Sequence, residues 1–559
     1  MTRNWPAAGV AARVGLYGRT LRSLGFGQLA WRVRRRLARA APRQLQGEIR
    51  AGVGAFWQRP VPHAGGWLSP LRWSCHGGAW ELAANRPWAP PGIPDLDLYQ
   101  LHYLDDLSSA AALANPTGHQ WLLQRWLAEN TTDPASAWDP YPVSRRLVNI
   151  CKWLLAGGEA SPELAGSLAS HADLLLRGPE YDLRGNHLLA NAVALVFAGR
   201  MLSGALAERS GARGAALLEQ TLRKQVLPDG GHYERSPMYH AIVLEDLLDL
   251  RNLLGAGGGA LANRIGAVLP AMLAWLQCMT LPDRRIAFFN DAAFDGCRAT
   301  GDLLEYAARL GVLPAEPPAA GALALLPHSG FARLRAGRMT MVADVGSAGP
   351  AEQPGHVHAG TLSFELAVDA ERVLVNTGTS TYERGPLRAA QRATRAHNTV
   401  EIDGTDSSEV WASFRVGRRA QVRGVRAQHA GAAGAVTELS AAHDGYAWLA
   451  GRPVHERRWR VAVDAIEIVD RIASQRPHEL AARLHLHPDC AATLAGDAEV
   501  VVRDREGRRV LTITRSGWTS VAAESYRYAP AFGQLQDATV LVFRARSENA
   551  TNLTMVVRS

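Results

Sequence analysis

The chain has 559 residues, 47% hydrophobic and 20% charged, a composition usual for a folded protein and a length beyond a single core. The net charge is +9, and every basic residue except Lys152 and Lys224 is Arg. With these dispersed and no recognised motif, nucleic acid is excluded as the expected partner, whereas Arg suits the carboxylates or sulfates of an acidic polymer.

Cys75, Cys151, Cys278, Cys297 and Cys490 are scattered without a CxxC pair, which excludes a zinc ribbon and a disulfide framework. No run of about eighteen apolar residues predicts a spanning helix, and Met1 to Arg39 holds no apolar segment of a secretory signal. Residues 1–70 read as a helical extension without a core of its own. Within it, Trp31 to Leu37 is a short basic amphipathic segment. It suits the solvated face of a peripheral helix, a membrane surface or an acidic partner. Residues 71–110 read as loops, with Trp73, Trp80 and Trp88 suited to sugar stacking or to packing.

Residues 71–320 form the next unit. Apolar residues at three- and four-residue spacing predict helices over Gln120–Glu129, Ser144–Ala156, Pro162–Leu176, Asn186–Ser203, Gly211–Gln225, His240–Leu254 and Ala260–Met279. Short connections make them antiparallel neighbours in a bundle, a solenoid or an α/α toroid. The Pro-rich stretch from Leu313 to Gly321 ends this unit. Over 321–559 the period changes to two. A dozen strands from Phe331–Arg335 to Thr539–Arg544 imply a large antiparallel sandwich.

Three segments concentrate chemistry. Arg184, Asn186 and His187 stand at a predicted helix N-terminus, where Asn186 could be no more than a cap or the group could form an anion site, two compatible roles. Asp229 to His240 packs Glu234, Arg235, Tyr239 and two histidines into one loop. His356 and His358 fall on one face of an expected strand. Two such imidazoles need a shared metal, a shared anion or a divided proton-transfer task.

The order Asn-His, Asp-Gly-Gly-x-x-Glu-x-Ser-Pro-x-Tyr-His, His-x-His and Ala-His-Asn-Thr-Val resembles the heparinase II/III-type polysaccharide lyases, a group that includes alginate and oligoalginate lyases. The resemblance covers roughly residues 90–480. It implies a multidomain α+β architecture, an N-terminal incomplete (α/α) toroid followed by a C-terminal antiparallel β-sandwich. The activity implied is β-elimination on a uronic-acid-containing anionic polysaccharide, in the periplasm. Asn186 and His187 would neutralise the uronate carboxylate, Tyr239 would be general base and acid, and His356 the second proton-transfer group. Arg184, Glu234, Arg235 and His240 would assist at the site. Read from the residues themselves, Arg384, Arg388, Arg392 and Arg395 lie where one or two of them, Arg388 and Arg392 first, could line the groove and grip the polymer. No organic cofactor is implied. A structural zinc is, on His358, Asn376 and His397; Asn376 replaces the family's aspartate with a poorer ligand, so a hydrogen-bonded polar cluster is the alternative. Ala190 stands where some heparin-acting members carry glutamate, which disfavours a heparin-like substrate. Two other functions compete. A glycoside hydrolase would pair Glu234 with Asp229 or Asp291. A non-catalytic polysaccharide-binding protein of an exopolysaccharide system would need neither proton-transfer group.

Overall fold

The structure, a computed structural model, describes residues 10–37, 40–82, 88–130, 136–255, 257–316, 323–428, 437–496 and 499–559. Part of the expected Pro-rich boundary, residues 317–322, lies outside the described residues, as do 1–9 of the expected extension.

The helical half is built from α1 (Val10–Leu21), α2 (Phe26–Leu37), α3 (Asp95–Leu101), α4 (Ala110–Ala114), α5 (Pro116–Glu129), α6 (Pro140–Leu155), α7 (Pro162–Arg177), α8 (Gly185–Met201), α9 (Gly204–Gln225), α10 (Pro237–Leu254), α11 (Gly259–Cys278) and α12 (Thr300–Arg309). Their starts follow capping chemistry. Ser161 accepts from the Leu164 N–H at α7 and Ser236 from the Tyr239 N–H at α10, each followed by Pro at the first helical position. Successive helices pack as antiparallel hairpins into an incomplete toroid around one core that includes Leu147, Leu189, Phe197 and Leu247. Helix α11 is long and apolar enough to cross a membrane. Here it buries Leu269, Met272, Leu273 and Trp275 within the toroid.

Between α2 and α3, where loops were expected, Trp67–Ser69, Arg72–Cys75 and Gly78–Glu81 form a small antiparallel sheet. Trp73 and Trp88 pack into the toroid core, and Trp73 also borders the cleft described below.

The second half is a layered antiparallel sandwich. A five-stranded meander runs in sequence order from Leu323–Leu326 to Glu371–Leu374. An eight-stranded sheet begins at Val422–Gln428 and takes in the C-terminal strand Ala550–Arg558. A four-stranded sheet joins Ser520–Tyr528, Gln536–Ser547, His478–His485 and Val400–Ile402. Alternating burial along Thr437–His443 and His478–His485 turns their apolar faces to a common core with Phe364, Trp459 and Phe543. One further short helix, α13 (Pro386–Arg392), leaves the meander.

The segment between α11 and α12 ties the halves together. The Phe288 N–H donates to Glu365 at 3.0 Å, and Asn376 Nδ2 donates to the Phe288 carbonyl at 2.7 Å. Arg372, from the meander, bonds Asp283 and the Ile286 carbonyl.

Candidate active site

Tyr239 sits in the first turn of α10, where Ser236 and Pro237 start the helix. His356 does not lie on a strand, as the alternation suggested. It belongs to the loop before Phe364–Val368, whose turn begins at Pro354-Gly355. The toroid and the sheet half bring these two rings face to face, centroids 3.8 Å apart. Both border a cleft of about 1280 Å³, together with Asn186 and His187.

His356 is held by two carboxylates. Its Nδ1 lies 2.9 Å from Asp291 Oδ2, and its Nε2 lies 3.5 Å from Glu234 Oε2. The other Asp291 oxygen takes His358 Nε2 at 2.8 Å. Asp291 thus bridges His356 and His358. Arg388 completes the arrangement with a bidentate pair to Asp291, its Nη2 at 2.7 Å from Oδ2. Burial pushes the Asp291 carboxyl up, but Arg388 and the bonds from both histidines outweigh it and hold it well below the carboxylate range. A charged Asp291 draws a proton of His356 to Nδ1.

Burial raises the Tyr239 phenol well above its ordinary value, and Tyr382 and Asp291 add to the rise. The phenol is protonated at rest. Tyr382, absent from the expected set, meets it oxygen to oxygen at 2.9 Å.

Helix α8 opens on Gly185 at φ +54°, preceded by Arg184 at φ +62°. The Asn186 N–H donates to Glu234 at 2.8 Å, and the Asn186 side-chain Oδ1 is buried without a partner. His187 lies against Tyr141 and bonds Glu180 at 3.2 Å. Burial pushes the His187 imidazole down, but the Glu180 charge and hydrogen bond outweigh it, so its value is raised. The amide and a readily protonated imidazole stand at the start of α8, where backbone N–H groups favour an anion.

Of the other expected substrate contacts, Arg384 borders the cleft and the rest lie elsewhere. None of Arg184, Glu234, Arg235, His240, Arg388 and Arg392 lines the cleft. Arg184 turns to Glu352 at 3.9 Å. Glu234 is buried beneath the site, where it links α8 to His356. Arg235, in the left-handed region at φ +59°, donates to the Ser347 carbonyl and braces toroid to sheet. His240 bonds the Met272 carbonyl at 3.0 Å and accepts from the His232 N–H, and burial lowers its pKa to about 3. Arg388 supports Asp291. Arg392 donates to the Val357 carbonyl at 2.8 Å and to the Ala412 carbonyl at 3.2 Å, holding the loop between His356 and His358. An arginine near a motif in sequence carries no sign of which side of its loop it faces, and these face inward.

The zinc set divides in two. His358 Nδ1 and His397 Nε2 are buried without partners, their rings 5.3 Å apart. These are two nitrogen donors. Asn376 Oδ1 accepts from His397 Nδ1 at 3.1 Å and from the Asn398 N–H, while its amide bonds Phe288. Structural zinc takes four ligands, and among the described residues no carboxylate or thiolate stands with these two nitrogens in a group of three. This donor set falls short of a zinc shell.

The chain matches the family model "Heparinase II/III N-terminus" over residues 117–307 and "Heparinase II/III-like, C-terminal" over residues 318–555. FtsZ-localized protein C of Caulobacter vibrioides is 27% identical over 399 residues, 66% of this chain and 65% of that protein. Heparin-sulfate lyase of Bacteroides thetaiotaomicron is 26% identical over 206 residues, 34% of this chain and 28% of that protein. The chain thus spans less than two thirds of either relative. A crystal structure of heparinase III superposes with a TM-score of 0.66 at 16% identity, over 87% of this chain and 80% of that one. A heparan sulfate lyase of Pedobacter heparinus gives 0.59 at 18%, over 87% and 81%. At such identities the likeness establishes the fold, a helical toroid followed by a β-sandwich. With the N- and C-terminal domain models matched in order over most of its length, the chain belongs to the heparinase II/III-like family of polysaccharide lyases.

Proposed function

We propose that the cleft cleaves a uronic-acid-containing polysaccharide by β-elimination. The observation that carries this reading is the stacked pair Tyr239–His356, one ring from each half of the molecule, beside the Asn186–His187 anion site.

The uronate carboxylate sits on Asn186 and His187, which draw off charge and acidify the neighbouring C5–H. His356 Nε2 takes the C5 proton, with Asp291 holding Nδ1–H and stabilising the imidazolium. The C5–H electron pair becomes the C4=C5 double bond, the C4–O4 bond breaks, and the Tyr239 phenol gives its proton to O4. Tyr382 donates to the phenolate left behind, and exchange with solvent restores both groups. The family resemblance gave Tyr239 both proton transfers. Its raised pKa favours the division of labour, with Tyr239 as the acid.

The polymer is not heparin-like in this reading. Arg32, Arg145, Lys152, Arg298 and Arg384 border the cleft, and three of them, Arg145, Lys152 and Arg298, are committed to Asp246, Asp249 and Glu245 respectively. Asp95, Asp295 and Glu383 border it as well. Ala190, where some heparin-acting members carry glutamate, disfavours a heparin-like chain.

A hydrolase reading has no support from the carboxylates it requires. Neither Asp229 nor Glu234 nor Asp291 lines the cleft, and Asp229 is bound by the Ser329 N–H at 2.7 Å and by its hydroxyl. A second reading is a cleft that holds a glycan without turning it over; one relative of this chain, FtsZ-localized protein C, carries no lyase name. A screen of alginate, glycosaminoglycans and bacterial capsules for ultraviolet-absorbing unsaturated products tests both. Elimination by the wild type that is lost in Tyr239→Phe, with binding retained, supports the lyase. Binding unchanged by Tyr239→Phe, with no product from either protein, supports the second reading.

A further inference from the structure

The two amino-terminal helices are packed with their polar faces inward. On α1, Arg19 bonds Glu409 through Nε at 2.8 Å and Nη2 at 2.5 Å, and Thr20 accepts from the Trp411 indole at 3.1 Å. On α2, Gln28 is fully buried and donates to the Glu352 carbonyl at 3.0 Å. Arg35 reaches Asp139, Glu180 and Asp182, and Trp31 packs on Tyr181. These contacts fasten α1 to the sheet half and α2 to the toroid.

The apolar residues point the other way. At about 100° per residue, Phe26, Ala30, Val33 and Leu37 fall within one narrow arc of α2, opposite Gln28, Trp31 and Arg35. Phe26 is 87% exposed and Leu37 82%. Helix α1 exposes Val14 and Leu21 beside Tyr17, whose ring packs edge-on against Trp411 at 4.9 Å. A peripheral helix of a water-facing protein buries its apolar stripe and exposes its charges, so this arrangement is reversed. Contiguous apolar surface of this kind marks an interaction site.

Charge identifies the partner. Residues 10–37 contain seven arginines and no acidic residue. Arg34 and Arg36 flank the apolar arc of α2, and Arg22 adjoins Leu21 of α1. A second copy laid on this face would set arginines against arginines. A bilayer with anionic headgroups offers acyl chains to the stripe and phosphates to its flanks, the two attractions that hold interfacial helices.

We propose that α2, with α1 beside it in sequence, docks the protein on an anionic lipid surface. The apolar arc of α2 and exposed Val14 and Leu21 of α1 enter the headgroup region while Arg22, Arg34 and Arg36 meet lipid phosphates. The rest of the molecule is held to these helices through Arg19, Gln28 and Arg35. This holds whether or not the cleft is catalytic.

Co-sedimentation of the full chain with extruded vesicles at physiological salt tests it. Vesicles of phosphatidylcholine containing phosphatidylglycerol should bind at least tenfold more protein than pure phosphatidylcholine. The triple variant Phe26→Ser, Val33→Ser, Leu37→Ser and the pair Arg34→Glu, Arg36→Glu should each lower that binding at least tenfold. Both alter exposed positions outside the cleft, so far-ultraviolet dichroism and melting should match the wild type; should the triple variant misfold, the charge-reversal pair decides. Equal partition onto both vesicle types, no binding, or binding untouched by the charge-reversal pair overturns the proposal. So does a lipid-free dimer in sedimentation velocity that the triple variant abolishes, since a second copy would then be the occupant.

Discussion

At the scale of single residues, the site separates groups that meet the substrate from groups that aim them. Tyr239, His356, Asn186 and His187 border the cleft, whereas Asp291, Glu234 and Arg388 act from behind it. Tyr239→Phe should lower kcat by about 10²–10⁴ with KM little changed, since only the transferred proton is lost. Asn186→Ala should cost on the order of a hundredfold in kcat/KM, measured by absorbance of the unsaturated product. His187 carries a pH signature. Because its pKa is raised in the fold, its charged form and the stability of its pair with Glu180 are complete below the ordinary histidine value near 6.5 and are lost as pH rises through the raised value. Glu180→Gln removes the raising carboxylate, so the alkaline limb of kcat/KM should move to lower pH. The residues at the cleft were legible in sequence because they recur as short motifs. The supporting residues were not. Arg235, His240, Arg388 and Arg392 look like ligands in sequence, since exposure is decided by the opposite face of the fold. Tyr382 has no motif of its own, and Asp291 was legible only as a hydrolase carboxylate. Their roles come from partners more than sixty residues away, Asp291 on His356 and Tyr382 on Tyr239.

At the scale of elements, the start of α8 is the tightest junction. Gly185 adopts φ +54°, and a Cβ there would stand 2.1 Å from Glu234 Oε1. Gly185→Ala should therefore destabilise the protein by about 1–3 kcal/mol in denaturant melts and displace Asn186 from the cleft. In the sandwich, Arg457 bonds Asp470 at 2.7 and 2.9 Å and donates to the Leu362 and Asn398 carbonyls. Burial pushes Asp470 up, but Arg457 and His455 outweigh it and hold it at about 2. That contribution is present above the ordinary Asp value near 4 and is lost as pH falls toward 2. Arg457→Ala leaves Asp470 buried and unpaired, and should cost about 3–5 kcal/mol. Elements with a strong period were legible in sequence, as with α7 and Val454–Val461. Some missed strands have weak alternation: Ser520–Tyr528 is largely exposed on both faces, and Ala491–Ala495 buries no side chain. Others, Thr437–His443 and Ala550–Arg558, alternate in burial but carry Ala, Ser, Thr and Asn in place of a clear apolar period. The sheet Trp67–Glu81 was hidden among aromatic residues that suit loops equally well.

At the scale of the whole molecule, function depends on two halves meeting, and the change of period from helix to strand made those halves legible. What joins them was not. The segment between α11 and α12 carries Asp291 from the toroid into the sheet half, and no sequence pattern marks a loop that binds in trans to its own domain. The cluster of His358, Asn376 and His397 belongs to this junction, and metal analysis of purified protein should find well under one zinc per chain, with melting unchanged by chelator. The central claim is that the stacked phenol and imidazole are a working acid–base pair. Its most direct measurement is the rate of ultraviolet-absorbing product formation on a uronate polymer by wild type, Tyr239→Phe and His356→Ala, with polymer binding followed in parallel. Turnover by the wild type, with loss of at least a hundredfold in each variant and binding retained, is the predicted result. Turnover unaffected by either substitution would contradict it.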